Sequence, residues 1–106
     1  MLMGESQIHF QLPHWLSKYE IEIKNKIFIN DEDKMNIAIE ISKQNILNKT
    51  GGPFGCAIFK ISEDKKSTLL SLGCNIVTSN NNCTLHGEMV AIQLGQKKIQ
   101  NYTFNK

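Results

Sequence analysis

Over residues 31–48 apolar side chains recur at helical spacing. Met35, Ile37, Ala38, Ile39, Ile41 and Ile46 cover about half of the circumference, and Asn36, Glu40, Lys43 and Gln44 hold the other side. Asn30 or Asp31 is placed to cap this helix, and Glu32 and Asp33 put negative charge in its first turn, the sign the macrodipole favours. So wide an apolar stripe predicts that the helix packs under a sheet. The pattern then changes. Thr50-Gly51-Gly52-Pro53 stops the helix and turns the chain. Residues 55–61 (GCAIFKI) read as a strand, 62–68 (SEDKKST) as a solvated loop, and 69–77 (LLSLGCNIV) as a second strand in a hairpin with the first. The run 78–82, rich in Asn, is loop and capping chemistry. Leu85, Met89, Val90, Ala91, Ile92 and Leu94 make 85–98 a second helix, apolar on most faces and therefore predicted to be largely buried. Tyr102-Thr103-Phe104 reads as the approach to another strand. The order is α-β-β-α, an α/β arrangement whose hairpin needs something further to complete the sheet, because two strands alone are marginal.

Residues 1–30 read as an N-terminal extension ahead of a domain over 31–106. Leu12-Pro13-His14-Trp15-Leu16 predicts a short helix started by Pro13. Ile21, Ile23, Ile27 and Ile29 alternate with polar residues, as in short extended pieces. The plainest role for Trp15 and these isoleucines is to cover the following helix.

Composition narrows the functions. The chain has 106 residues, a formal charge of +2 and 21% charged residues, an ordinary mix for one small domain. All 12 basic residues are lysines. Arginine is the preferred bidentate reader of phosphate and guanine, so nucleic-acid binding is disfavoured. No apolar run approaches the roughly 18 residues of a membrane span, and nothing at the start reads as a secretion signal. The three cysteines, Cys56, Cys74 and Cys83, are odd in number and lack a CxxC spacing. They point to a reducing, cytoplasmic setting rather than to a disulfide framework.

The informative stretch for chemistry is Cys83-Thr84-Leu85-His86-Gly87-Glu88-Met89. His86 and Glu88 stand two residues apart at the start of the second helix. There they point about 200° apart and converge only on something at the helix tip. Free N–H groups at that tip favour an anion or a metal-bound hydroxide, and Gly87 lets a ligand approach the backbone. The bland alternative is an acidic first-turn residue that helps the dipole beside a surface histidine.

Three pieces taken together resemble the cytidine/deoxycytidylate deaminase-like zinc enzymes, in the branch that holds guanine deaminases and tRNA adenosine deaminases. They are GGPFGCAIFK (51–60), GCNIVTSNN (73–81) and HGEMVAI (86–92), and the resemblance covers about 32–106. The leader through Leu16, with Asn82-Cys83-Thr84, looks most like a bacterial group of nucleoside deaminases. The resemblance implies a three-layer α/β/α sandwich, of which this chain is the N-terminal part. It implies His86 as a zinc ligand and Glu88 as the acid/base that moves protons without binding metal. It also implies substrate contacts from Asn75, the Gly87 N–H and a stacking Phe54. Asn75 reads equally as a loop asparagine bonding backbone, and Phe54 as core. The family usually has Ala where Gly87 stands. Its other two zinc ligands come from a P-C-x-x-C after a third strand, and these two Cys ligands are absent from this chain, which ends at about the start of that strand. Cys83 lies in the loop entering the helix, where the group carries Cys or Pro without metal duty. Cys56 and Cys74 read as small core residues.

The function so implied is zinc-dependent hydrolytic deamination of a nucleobase or nucleoside, with release of ammonia. A guanine-like purine is favoured over tRNA by the lack of arginine. The alternatives are a catalytically inactive truncated or split fragment of such a deaminase, and a tRNA adenosine deaminase. The family also implies a homodimer for the complete protein.

Overall fold

The computed structural model describes Ser6 and residues 9–104. Helix α1 spans His14–Ile23, α2 Asp31–Leu47, strand β1 Gly55–Ile61, β2 Ser67–Cys74 and helix α3 Gly87–Ile99. Asn30 is the N-cap of α2, its Oδ1 accepting the Asp33 N–H at 2.8 Å, and Asp31, Glu32 and Asp33 fill the first turn. Strand β1 matches its expected span, and the hairpin is antiparallel, with Gly55 opposite Cys74 and Ile61 opposite Ser67. The register shifts between Ile58 and Phe59, so one β2 residue is left over, as in a β-bulge.

The hairpin is the middle layer. Successive strand residues face opposite sides. A Cβ at Gly55 would meet Ile41 of α2, whereas one at Gly73, which pairs with Cys56, would meet Ala91 of α3. The two helices therefore lie on opposite faces, giving three α/β/α layers. On the α2 face Ile37, Ile41, Leu72 and Cys74 form the core with Phe28, and the Phe28 and Phe59 rings meet edge to face at 5.1 Å. On the α3 face the Ser71 hydroxyl donates to the Ala91 carbonyl at 2.7 Å. Full burial of side chains such as Leu16, Ile41, Leu72, Ile76 and Val90 contributes about 1.5–3 kcal/mol each.

Several expectations are corrected. Ile21 and Ile23 belong to α1 and are not extended. Helical periodicity turns Leu16 and Ile23 inward, while Ile21, Ile27 and Ile29 remain exposed. Beyond α1 the residue that packs is Phe28, held by two 2.8 Å backbone hydrogen bonds to Ser67. Helix α1 sits chiefly against β2, and its Glu20 carboxylate pairs with Lys98 of α3. In α2 only a narrow line, Ile37–Ile41–Asn45, is buried. Met35, Ile39 and Ile46 lie outside, because one sheet face covers one side of a helix and no other described element covers the rest.

Strand β2 begins earlier than expected and stops at Cys74. Beyond it the Val77 N–H goes to the Asn75 side chain and the Ile76 N–H to the Leu85 carbonyl, so neither joins the ladder. Helix α3 starts at Gly87, with His86 as its N-cap. It buries one face, Val90, Ala91 and Gly95, while Met89 is exposed, so it is not largely buried. Among the described residues 101–104 form no strand. None of the described helices is long and apolar enough to cross a membrane.

Candidate active site

Three chain segments meet at the end of the hairpin where β1 begins and β2 ends. The first is the turn after α2. The Phe54 N–H closes back on the Gly52 carbonyl at 2.8 Å. The turn passes so close to the residue following β2 that a Cβ at Gly51 would lie 1.8 Å from the Asn75 carbonyl oxygen. Only glycine fits there.

The second segment is Asn75. Its N–H donates to the Phe54 carbonyl at 3.1 Å, which joins the two turns. Its Oδ1 accepts the Val77 N–H at 3.1 Å. Among the described residues its carboxamide NH2 makes no hydrogen bond, so two N–H donors are free for a ligand.

The third segment is the tip of α3. Gly87 is buried against the Phe54–Gly55 backbone and Cys74: a Cβ there would sit 3.5 Å from the Phe54 carbonyl oxygen and 3.6 Å from Cys74 Cα. Phe54, Asn75 and Gly87 thus meet at one shelf, and Phe54 is 60% exposed. His86 and Glu88 flank Gly87 and are both exposed. Glu88 lies near Cys56 of β1. Burial pushes the Cys56 thiol above its ordinary value, and the Glu88 carboxylate adds to that shift. All five residues singled out from the sequence therefore gather at one end of the sheet. The shelf is open, and one wall of it is a helix N-terminus whose leading N–H groups favour negative charge.

Residues 29–106 match the family model for the cytidine and deoxycytidylate deaminase zinc-binding region. The chain belongs to this deaminase family. Its fold is similar to that of guanine deaminase from Nitrosomonas europaea, with a TM-score of 0.71 and 26% identity over 92% of this chain and 52% of that one. The structure of NE0047 in complex with 2,6-diaminopurine gives 0.73 and 28%, over 88% of this chain and 46% of that one. Guanine deaminase from Bacillus subtilis gives 0.61 and 28%, over 70% and 44%. The chain spans about half the length of these solved relatives. No curated protein matches it.

The matched family model describes a zinc-binding region, so zinc is the metal against which the donor set has meaning. A catalytic zinc needs three protein ligands. Among the described residues no group of three His, Cys, Asp or Glu side chains is close enough to hold a metal ion. Cys74 is buried, and burial pushes its thiol up to about 12. It pairs with Gly55, and its side chain lies on the α2 face. Cys83 is exposed on a loop where the Asn82 carboxamide accepts from the Thr84 N–H and hydroxyl. His86 stands as a lone donor, and the described residues do not by themselves fit the ion.

The deaminase shelf has a support that the sequence reading missed. Asn45 is fully buried in α2, and its Nδ2 donates to the carbonyl oxygens of Gly52 and Asn75, both at 2.9 Å. A signal for it was present: Asn45 continues the line Ile37–Ile41 at intervals of four, so a polar residue stood on the core stripe.

Proposed function

We propose that this chain is the base-binding and proton-moving part of a hydrolytic nucleobase deaminase with a preference for guanine-like purines. The observation that carries the reading is the convergence of Phe54, Asn75 and Gly87 on one shelf, with Glu88 at its edge. The Phe54 ring offers a stacking face to a planar base. Because Oδ1 of Asn75 already takes the Val77 N–H, the group acts mainly as a donor, which suits neighbouring acceptors such as O6 and N7 of guanine. Adenine offers a donor and an acceptor there and would need Oδ1 free. The Gly87 N–H, at the first turn of α3, has no partner within the helix and can reach the bound base.

Glu88 is the general acid and base. It takes a proton from the attacking water, returns one to a ring nitrogen and assists departure of ammonia. Its exposure at the shelf edge suits a group that must meet both water and substrate. In the family zinc supplies an activated water. No step is assigned to it here, since the described residues hold one donor. That same observation favours a second reading, in which the chain as it stands binds the base without turning it over. Purine ligands in the solved relatives support the first reading over a tRNA substrate. The three free cysteines support a reducing, cytoplasmic setting, and the family resemblance supports a homodimer.

Calorimetric titration with 8-azaguanine tests the shelf, and ammonia release from guanine in the presence of zinc tests turnover. Binding lost at least tenfold in Asn75→Ala supports the base site, and no binding to the unaltered chain overturns it. Binding without ammonia release selects the second reading. Release that persists in Glu88→Gln removes Glu88 from its assigned role.

A further inference from the structure

We infer that a relay of three side chains, the half-buried Trp15 and Thr50 and the buried Asn45, sets the position of Asn75 and of the turn carrying Phe54, so that the N-terminal helix is a positioning element of the base site. The inference rests on the reading of Asn75 as a base-binding residue. Trp15 Nε1–H donates to Thr50 Oγ1 at 3.0 Å, and the Thr50 hydroxyl donates to Asn45 Oδ1 at 2.5 Å. Asn45 Nδ2 then donates to the Gly52 and Asn75 carbonyls. Every donor points the same way, from α1 toward the site, so each bond polarises the next.

The relay joins parts that are far apart in sequence. Trp15 is 35 residues from Thr50, and Asn45 is 30 residues from Asn75. Both N–H donors of the Asn45 carboxamide are used, one on each carbonyl, and its oxygen accepts the Thr50 hydroxyl. With no donor left and no exposed surface, it acts on the backbone rather than on a ligand. That backbone is the site. The two carbonyls it clamps belong to the turn before Phe54 and to Asn75, and the Asn75 N–H closes the ring by bonding Phe54 O. Gly51 lies between them with no room for a side chain, so a shift in Asn45 moves both walls together. Trp15, Thr50 and Asn45 are therefore positioning residues rather than catalytic ones.

The test pairs amide hydrogen exchange in the 15N-labelled full chain with 8-azaguanine titration. Thr50→Val removes the hydroxyl at nearly constant volume, Trp15→Phe removes the indole N–H, and Thr50→Ser restores the hydroxyl. Thr50→Val and Trp15→Phe should each speed exchange of the Asn75 amide at least tenfold and weaken 8-azaguanine binding at least fivefold. The Leu72 and Val90 amides should exchange as before, and Thr50→Ser should recover both quantities. Unchanged Asn75 exchange in Thr50→Val overturns the inference, as does loosening of Leu72 and Val90 in equal measure, which would mark a general stability role. If the unaltered chain binds no 8-azaguanine, the base-site reading fails on its own, and the exchange pattern still decides whether the relay holds Asn75.

Discussion

Gly73 of β2 and Gly87 of α3 meet backbone to backbone: a Cβ at Gly73 would lie 2.1 Å from the Gly87 carbonyl oxygen and 2.6 Å from the Ala91 nitrogen. This close approach seats the tip of α3, with His86 and Glu88, at the end of the sheet. Gly73→Ala should push the helix away, at a cost of about 1–3 kcal/mol from overpacking, and weaken 8-azaguanine binding. Gly87→Ala should change stability by less than about 1 kcal/mol, because its Cβ would meet no atom nearer than 3.5 Å. Urea unfolding of the two variants separates them, and equal loss in both would contradict the packing described.

Removal of the α2 cap should register locally. Asn30→Ala deletes the acceptor of the Asp33 N–H and should lower stability by about 1 kcal/mol. Asn30→Asp should keep most of it. Denaturant midpoints at neutral pH check both.

Ser67 is buried, and its hydroxyl finds no hydrogen-bond partner among the described residues. Its backbone pairing with Phe28 does not depend on that oxygen. Ser67→Ala should therefore leave the bridge intact and raise stability by about 1 kcal/mol, by removing a desolvated, unpaired group. A fall in thermal midpoint would show that the hydroxyl has a partner.

The three thiols should differ in reactivity. Toward a disulfide reagent at pH 8, the exposed Cys83 should react first, half-buried Cys56 more slowly and buried Cys74 only on unfolding. Burial and the Glu88 carboxylate both raise the Cys56 thiol, so Glu88→Gln should speed its reaction. For Cys74 the folded value stands at about 12 against an ordinary 9.0. The unfolded chain therefore releases this proton first as pH rises. The stability it carries is present below about pH 9 and is lost as pH rises toward 12. Thermal midpoints of Cys74→Ala should fall less steeply than those of the unaltered chain over that window.

The legible parts of the fold follow from local rules. Asn30 caps α2 through a contact three residues away, and β1 runs from Gly55 because a glycine-rich turn ends and a β-branched and aromatic run begins. Apolar content overstates burial in both flanking helices. Met35, Ile39 and Ile46 of α2 and Met89 of α3 look like core in the sequence, yet each lies on the side of its helix away from the hairpin. Strand β2 ends short of its apolar run because Asn75 diverts the Val77 N–H to its own side chain, a competition that strand propensity does not register.

The sequence by itself determined the order α2, β1, β2, α3 and narrowed the α2 cap to Asn30 or Asp31, because these rest on spacing within a few residues, while the set Phe54, Asn75, His86, Gly87 and Glu88 followed from motifs that resemble the family. Only the tertiary structure decided which apolar faces are covered, that Gly73 admits α3, and that Asn45 clamps Asn75 from 30 residues away. The physical reason is that burial and hydrogen-bond satisfaction are properties of pairs. A buried carboxamide has to find its partners wherever the fold brings them, and sequence distance does not show where that is.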